Sequence, residues 1–471
     1  MTRNEAFPSV MLVMIDATRT DRLSCYGYDR PTTPNIDKIA SEGVLYEQAF
    51  APDVWTLPVM SSVFTGLVPH DHGVTFQRPR LASHHVTLAG LLAEQGYVTW
   101  GASAGAWIGR ATGLDRGFSE FWEAYRLLKG RAPSKVAELI NRFYAKYIFQ
   151  RYGRGARRIT QAVIRRLQAK QSNHAHSPFF MFVHYMEPHY PHNPPKPYDA
   201  LFFEDRQLLA RAKKINHHPL DFFAGKIVLN EEDFELLNNL YDAEITYMDA
   251  QLGQLYRALE ELGLLDTTAI VLFADHGENI GDHGLLDHHF CLYDSLIHVP
   301  LIVRYPPQFA RGERIEELIT TTDIFRTILE LAGLGDDQIP GNTRSLRVED
   351  VRASPRDYIT AETTGEFLRA IEKRKPVRDL SHYDRKLRAV RTSRYKYIEG
   401  SDGSMELYDL RSDPDEQCNL ANERPNDLAR LQRILRREFQ MRVESQDSEK
   451  SGSIIDDSIV VERLRSLGYI D

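Results

Sequence analysis

Two short apolar runs of the sequence end in residue types that can bind a metal ion. Asp16 follows the run VMLVMI, and Asp275 and His276 follow the run AIVLFA. If both runs are parallel strands of one sheet, these side chains reach the same edge of that sheet. Carboxylate oxygens with one neutral imidazole suit Mn²⁺ or Zn²⁺, whereas an all-oxygen set would favour Ca²⁺ or Mg²⁺. Taken alone, an aspartate at a strand end is more often a helix cap or a turn residue.

A threonine that can act as a nucleophile stands where a helix is predicted to begin. In the stretch TLPVMSSVFTG, Pro58 suits the first helical turn and Gly66 suits the C-cap, which places Thr56 at the helix N-terminus. Free N–H groups and the helix dipole favour negative charge at that position. A neutral threonine hydroxyl is a poor nucleophile, and a metal ion together with such a helix end would stabilise its alkoxide. The local sequence alone favours a simpler role for Thr56 as an N-cap residue.

The elements that must position these side chains are predicted to form an α/β sandwich. Four continuous apolar runs, too short for helices, are typical of buried parallel strands. They cover residues 10–15, 179–183, 269–274 and 300–303. Helices are predicted between them: one starts at Pro34 after an N-cap at Thr33 and ends at Gly43, and a longer one ends before Gly263. Alternating strands and helices indicate a mostly parallel central sheet sandwiched by helices.

The chain is predicted to contain three parts. Residues 1–350 form the α/β domain, residues 351–424 a small antiparallel sheet, and residues 425–471 terminal helices with a polar linker. Within the first part, residues 126–170 form a basic helical insertion in which Glu138 is the only acidic residue. Such a stretch is usually the solvated face of amphipathic helices. The alternative is a lid or docking surface for an anionic substrate.

Composition excludes several classes of protein. The formal net charge is −8, from 58 basic and 66 acidic residues, which argues against a nucleic-acid binder. The three cysteines, Cys25, Cys291 and Cys418, are too few and too scattered for a disulfide framework or a thiolate metal site. The N-terminal apolar run is far shorter than a membrane span. We therefore expect a cytoplasmic protein without a transmembrane segment, although an exported protein that lacks its leader would look the same. The sequence does not exclude a homo-oligomer.

The sequence resembles the sulfatase family of the alkaline phosphatase superfamily over nearly its whole length. The resemblance rests on motifs that occur in the family's order: VMLVMIDATRTDRLSCYGYDRPTTPNIDKIASEGVLYEQAF, TLPVMSSVFTG, TGLDRGF, FVHYMEPHYPHNPP, FADHGENIGDHGLLDH, LYDSLIHVPLIVRYP and ELYDLRSDPDEQCNLA. It implies one divalent metal ion held by Asp16, Asp275 and His276, with Thr56 as the nucleophile that also touches the metal. Ca²⁺ is the usual ion of the family, whereas His276 favours Mn²⁺ or Zn²⁺.

The same resemblance implies two further catalytic histidines. His189, in the segment EPHYP, takes the position of a histidine that contacts the anion. By count, His288 takes the position of a lysine in the family's segment GxHGxxxK. A protonated imidazole there would hold a non-bridging oxygen or protonate the leaving group. His289 and His283 are close alternatives for that role.

Departures from the family pattern bear on the substrate. Sulfatases carry cysteine or serine in a C/S-x-P-x-R motif and oxidise it to formylglycine. Thr56 cannot form that aldehyde because its β-carbon already bears a methyl group, and Met60 replaces the arginine. Ala17 replaces the second aspartate of the family's pair, and the family's GKWH segment is absent near Ser103, so a substrate-binding lysine is missing.

These departures favour a metal-dependent hydrolase or transferase that acts on phosphate esters, diesters included. The substrate is expected to be a small anionic ester, free or linked to a lipid or a polymer. One alternative is a sulfatase that works without formylglycine. The other is a non-catalytic binding protein with the same fold.

Overall fold

The computed structural model of the protein describes residues 7–124, 155–172, 177–336, 339, 342–364 and 368–446. Most strands of its first part form one eight-stranded sheet, and two short strands form a separate hairpin. In chain order the strands are β1 (Ser9–Ile15), β2 (Val44–Phe50), β3 (Val98–Ser103), β4 (Glu120–Glu123), β5 (Phe179–Tyr185), β6 (Thr268–Phe273), β7 (Asn279–Ile280), β8 (Leu286–Asp287), β9 (Leu301–Arg304) and β10 (Glu313–Thr320). The hairpin is β7 and β8, and the large sheet has the order β10-β2-β9-β6-β1-β5-β3-β4.

The large sheet is mostly parallel, as the sequence predicts. Strand β1 lies at its centre and pairs in parallel with β5 and β6. The side chains of these three strands are almost entirely buried, because helices cover both faces of the sheet. This burial explains why their sequences are continuously apolar rather than alternating.

Strand β9 runs against its neighbours. It is antiparallel to both β2 and β6, so the prediction of a parallel strand at residues 300–303 is wrong. The physical reason lies in the connection: the chain leaves β6 at the carboxyl edge, stays at that edge through residues 274–300, and turns back directly into β9. A parallel neighbour would have needed a crossover to the opposite edge. We call residues 274–300 the site loop.

Helices flank the sheet in two packed groups. In one group, Pro34–Ser41 and Ala156–Ser172 both pack against Glu231–Glu261, and the other group includes Thr56–Thr65, Leu88–Glu94 and Asp323–Leu331. The remaining α-helices in the described part of the chain are Pro69–His72, Arg206–Ala212, Pro219–Phe223, Asp294–Ile297, Val348–Ala353, Leu368–Glu372 and Pro425–Gln446. The α/β sandwich predicted from the sequence is therefore confirmed.

Two predicted helix ends fit the structure closely. The long helix ends at Glu261, and Gly263 follows with a φ of 65°. The helix that begins at Pro34 has Glu42 at its C-cap, one residue before the predicted Gly43. Gly43 serves a different purpose, because a Cβ atom there would lie 2.4 Å from the carbonyl oxygen of Val303 in β9. A glycine is needed where this turn passes so close to the strand.

The C-terminal part contains the predicted antiparallel sheet. Its strands are β11 (Ile359–Thr363), β12 (Leu387–Arg391), β13 (Tyr395–Gly400) and β14 (Met405–Asp409), paired in that order. The domain boundaries at 350 and 424 remain predictions. Residues 126–154 of the basic insertion and residues 447–471 of the terminal segment lie outside the described residues.

The small sheet packs directly against the site loop. Apolar side chains from both parts form one buried cluster, which includes Leu292, Leu296 and Ile297 of the site loop and Ile359, Ala389 and Ile398 of the sheet. Beside it, the fully buried Lys396 lies 2.8 Å from Asp294 Oδ1 and 2.8 Å from Glu416 Oε1. The small sheet therefore helps to fix the shape of the site loop.

Two further features of the described part of the chain concern its cysteines and its helices. Cys25, Cys291 and Cys418 are all free thiols. Within the described ranges, every helix is too short or too polar to span a lipid bilayer.

Candidate active site

The ends of β1 and β6 bring the predicted metal ligands together. Asp16 directly follows β1, Asp275 and His276 lie just beyond β6, and these two strands are paired neighbours. His276 Nε2 lies 3.6 Å from Asp16 Oδ1 and 3.3 Å from Asp275 Oδ2. One ligand atom from each of the three residues lies within 4.8 Å of the other two, and all three side chains are buried. The structure thus assembles the set that the strand ends predict.

Thr56 is the first residue of its helix rather than the cap. The helix spans Thr56–Thr65, its N-cap is Trp55 in an extended conformation, and Gly66 forms the predicted left-handed C-cap with a φ of 70°. The simpler prediction of a plain N-cap threonine is therefore wrong. The Thr56 Oγ1 atom instead lies 3.3 Å from His276 Nε2, beside the two aspartates. The hydroxyl faces the three residues that could hold a metal ion, while the backbone of Thr56 stands at the positive end of the helix dipole.

A backbone contact fixes the protonation of the His276 ring. Its Nδ1–H donates a hydrogen bond of 2.8 Å to the carbonyl oxygen of Gly277, which can only accept. Burial lowers the pKa of His276 to about 4, so the ring is neutral at pH 7. In that neutral tautomer the Nε2 lone pair points at Thr56 and the aspartates. Metal-binding histidines usually have their second nitrogen held in this way.

Asp275 is held by backbone groups. Its Oδ1 accepts hydrogen bonds from the N–H of Ala17 at 3.2 Å and of His276 at 3.0 Å. Ala17 has a φ of 51°, an uncommon conformation for a residue with a β-carbon, and Tyr241 fixes it by donating to its carbonyl oxygen at 2.7 Å. Burial raises the pKa of Asp275 to about 7. A carboxylate so costly to ionise beside a second carboxylate fits a site built to hold a cation.

His184 lines the same site and was missed by sequence reasoning. Its Nε2 lies 3.0 Å from Asp16 Oδ2, and its Nδ1 accepts from the N–H of Gly105 at 3.4 Å. The proton therefore sits on Nε2 and is donated to Asp16. The signal was a histidine near the end of the apolar run FFMFVHY, in a strand that pairs with β1. Ser103 lies behind this ring, 2.9 Å from Nδ1.

The side chains of His189 and His288 contact each other beside His276. Their Nε2 atoms lie 3.1 Å apart, and the His288 ring stacks on the His276 ring at a centroid distance of 4.1 Å. Burial lowers the pKa of His288 to about 4. Of the two alternatives to His288, His283 stacks on Tyr293 and His289 packs beside Phe290. The structure thus places both predicted histidines, His189 and His288, next to His276, one of the three candidate metal ligands.

Several of these side chains line one narrow cavity at the sheet edge. Its wall is formed by Asp16, Trp55, Thr56, Gly105, Trp107, His184, Met186, His189 and His288. The rings of Trp55 and Trp107 meet edge to face at 5.0 Å. The cavity therefore combines a polar floor with an aromatic wall.

Two family models match the chain. A model described as Sulfatase matches residues 8–334, and one described as N-sulphoglucosamine sulphohydrolase, C-terminal, matches residues 281–444. Among curated relatives, an arylsulfatase of Clostridium perfringens is 24% identical over 489 aligned positions, which cover 93% of this chain and 95% of the relative. A multifunctional alkaline phosphatase superfamily protein of Trinickia caryophylli is 31% identical over 270 positions, 52% of each chain.

Solved structures with the same fold include different kinds of enzyme. The phosphonate monoester hydrolase of Agrobacterium radiobacter has a TM-score of 0.71 and 23% identity, covering 93% of this chain and 96% of its own. A protein solved with its substrate D-glucosamine-2-N,6-O-disulfate has a TM-score of 0.71 and 20% identity, covering 95% of this chain and 100% of its own.

The fold and the family matches together define an ester hydrolase of the alkaline phosphatase superfamily. Within that superfamily the chain belongs to the sulfatase family, because the family model covers well over half of its length. Members of this family bind a divalent metal ion, and Asp16, Asp275 and His276 form a group that can hold one.

Proposed function

We propose that the protein hydrolyses phosphate esters, including diesters, by in-line attack of Thr56. The observation that carries this proposal is the position of Thr56 Oγ1, at a helix N-terminus and 3.3 Å from His276 Nε2. A divalent cation held by Asp16, Asp275 and His276 would favour the alkoxide form of Thr56 and offset charge on the transferred group. The N–H groups at the helix end would add to that stabilisation.

The reaction needs two displacements at phosphorus. In the first, a bond forms between Thr56 Oγ1 and phosphorus while the bond to the leaving alcohol breaks. In the second, water attacks the threonyl phosphate, which releases phosphate or a monoester and restores the hydroxyl. An acceptor alcohol in place of water would make the same chemistry a transfer reaction.

The residue type at position 56 favours phosphate over sulfate. In a formylglycine enzyme, the second hydroxyl of the hydrated aldehyde expels sulfate from the covalent intermediate. Thr56 has a methyl group and a hydrogen on its β-carbon and offers no second hydroxyl. A threonyl phosphate still turns over, because water can attack phosphorus directly.

Sulfate esters are the second candidate. The favouring observation is the match of residues 281–444 to the C-terminal model of N-sulphoglucosamine sulphohydrolase, a part of the chain that includes most of the site loop. Sulfate hydrolysis would then have to proceed by direct attack of water on the threonyl sulfate.

A basic cleft supports a larger anionic substrate. The cleft has a volume of about 920 Å³, and its lining includes Arg157, Arg158 and Lys196. The segment 193–199, which contributes to it, follows His189 closely in sequence. Positive charge in this cleft would attract an ester linked to an anionic lipid or polymer.

A substrate panel tests the proposal. The purified protein, saturated with Mn²⁺ or Zn²⁺, is given 4-nitrophenyl esters that differ only in the acid: a phosphate diester, a phosphate monoester, a phosphonate and a sulfate. We expect kcat/KM to be highest for a phosphorus ester, and a phosphoryl adduct on the peptide that contains Thr56 after rapid acid quench. A higher kcat/KM for the sulfate would refute the proposal in favour of the second candidate.

A further inference from the structure

A second group of metal-binding residue types lies beside the first, because the rings of His276 and His288 stack at 4.1 Å. One ligand atom each from His189, Asp287 and His288 lies within 4.8 Å of the other two, and all three side chains are buried. We propose that these residues hold a second divalent cation, so that the protein binds two metal ions rather than the one predicted from its sequence. Two imidazole nitrogens with one carboxylate form a ligand set that suits Zn²⁺.

The tautomers of the two histidines support this site. His189 Nδ1–H donates to the carbonyl oxygen of Tyr190 at 2.8 Å, and His288 Nδ1–H donates to that of Val54 at 2.9 Å. A carbonyl oxygen only accepts, so the proton of each neutral ring is on Nδ1 and each Nε2 carries a lone pair. These are the same conditions that hold His276 for metal binding.

The separation of the two Nε2 atoms fits a shared ion. They lie 3.1 Å apart, and two lone pairs facing each other at that distance repel. With a Zn–N distance of about 2.0 Å, neighbouring ligand atoms of a tetrahedral zinc site lie about 3.3 Å apart. A cation between the rings would thus turn a repulsion into two bonds with little movement of either side chain. A hydrogen bond between the rings would need one of them to give up its backbone contact or to gain a proton.

Asp287 is held in an uncommon backbone conformation at the third position. Its φ is 68°, in the left-handed region, and its Oδ1 lies 3.2 Å from His288 Nε2 while accepting from the His288 N–H at 2.7 Å. A residue other than glycine is uncommon in this region, and such residues cluster at functional sites. The strain is explained if this conformation brings the carboxylate to a cation.

The position of the second group gives the second ion a role. His276 of the first group and His288 of the second are stacked, so the two cations would be neighbours, and Thr56 lines the same cavity as His189 and His288. Paired metal ions about 3.5–4 Å apart act on both the attacking and the leaving oxygen of an in-line displacement. The lysine that the family carries at the position of His288 would supply one positive charge, and an ion bound there would replace it.

Zn²⁺ binding tests the second site without any substrate. The full-length protein is stripped with a chelator and titrated with Zn²⁺ in a calorimeter, with bound metal confirmed by mass spectrometry. We expect two equivalents per chain for the unchanged protein. Asp287→Asn and His189→Gln should each bind one, and so should Asp275→Asn, which removes only the first site. His382→Asn changes an exposed histidine and serves as the matched control, with two equivalents expected.

Two results would overturn the proposal. A single equivalent in the unchanged protein means that the six residues share one ion or that only the first group binds. Two equivalents that persist in both Asp287→Asn and His189→Gln mean that the second ion lies elsewhere. Thermal melting checks that each variant is folded, and Zn²⁺ should still raise the melting temperature of Asp275→Asn through the remaining site. The failure of the proposed ester hydrolysis would leave these stoichiometries unaffected.

Discussion

The hydroxyl of Thr56 can be removed with almost no change in shape, and this makes Thr56→Val the sharpest test of the proposed reaction. Valine replaces the hydroxyl by a methyl group at a position that is 4% exposed. The loss of one hydrogen bond costs about 1 kcal/mol, and the burial of one more methyl group returns about 0.8 kcal/mol. The free energy of unfolding should therefore change by less than about 1 kcal/mol.

Activity should respond very differently. Without the hydroxyl no covalent intermediate can form, and only positioning and electrostatic stabilisation remain. We expect kcat/KM for the best phosphorus ester to fall by about 10⁴-fold, which corresponds to about 5.4 kcal/mol of transition-state stabilisation. The assay is run at saturating metal, so that a weaker metal affinity is not mistaken for slower chemistry.

A matched control lies in the same helix. Thr65 is the last residue of the helix and is also buried, with its hydroxyl donating to the carbonyl oxygen of Ser61 at 2.7 Å. Thr65→Val removes an equally buried hydroxyl at the opposite end of the helix from Thr56 and should leave kcat/KM within about threefold of the unchanged protein. If Thr56→Val kept more than a tenth of the activity, the assignment of Thr56 as nucleophile would have to be abandoned.

Three further predictions follow from single contacts. His184→Phe removes the N–H that is donated to Asp16, so the metal concentration for half-maximal activity should rise about 10–100-fold, with partial recovery in His184→Gln; an unchanged metal dependence would contradict this positioning role. Lys396→Met leaves the buried carboxylate of Glu416 without its cation, whereas Asp294 keeps Arg391 at 3.2 Å, and should lower the free energy of unfolding by about 3–5 kcal/mol in chemical denaturation; a loss below about 1 kcal/mol would contradict this. Burial lowers the pKa of His72 to about 3, so between about pH 6.5 and 3 only the unfolded chain takes up a proton at this residue. The free energy of unfolding should therefore decrease as the pH is lowered across this window. His72→Gln should flatten that slope by up to about 1.4 kcal/mol per pH unit, and an unchanged slope would mean that this proton is not taken up on unfolding.

The sequence predicts those parts of the site that depend on strand ends. Asp16, Asp275 and His276 could be placed together because a buried apolar run followed by a polar residue marks the edge of a parallel sheet. The direction of β9 could not be predicted in the same way. An apolar run such as residues 300–303 has the same composition whichever way it runs, and its direction depends on the path of the connection.

Other features depend on backbone contacts that leave no pattern in the sequence. The histidine tautomers are fixed by the carbonyl oxygens of Val54, Tyr190 and Gly277, and any residue type could supply those atoms. Thr56 was predicted as a possible N-cap residue, but it is the first residue of the helix. The N-cap is Trp55, a residue type that rarely caps helices and therefore gives no recognisable signal in the sequence. His184 resembled an ordinary strand residue because its partner, Asp16, is distant in sequence.

Because the small sheet packs on the site loop, the C-terminal part of the chain stabilises a loop that belongs to the first part of the chain. Leu292, Leu296 and Ile297 share their buried cluster with the small sheet, and the same loop begins with the candidate metal ligands Asp275 and His276. Proteolytic cleavage that releases the small sheet would therefore remove the packing partner of the site loop and increase the mobility of the loop. During gradual denaturation, catalysis should disappear before the eight-stranded sheet melts.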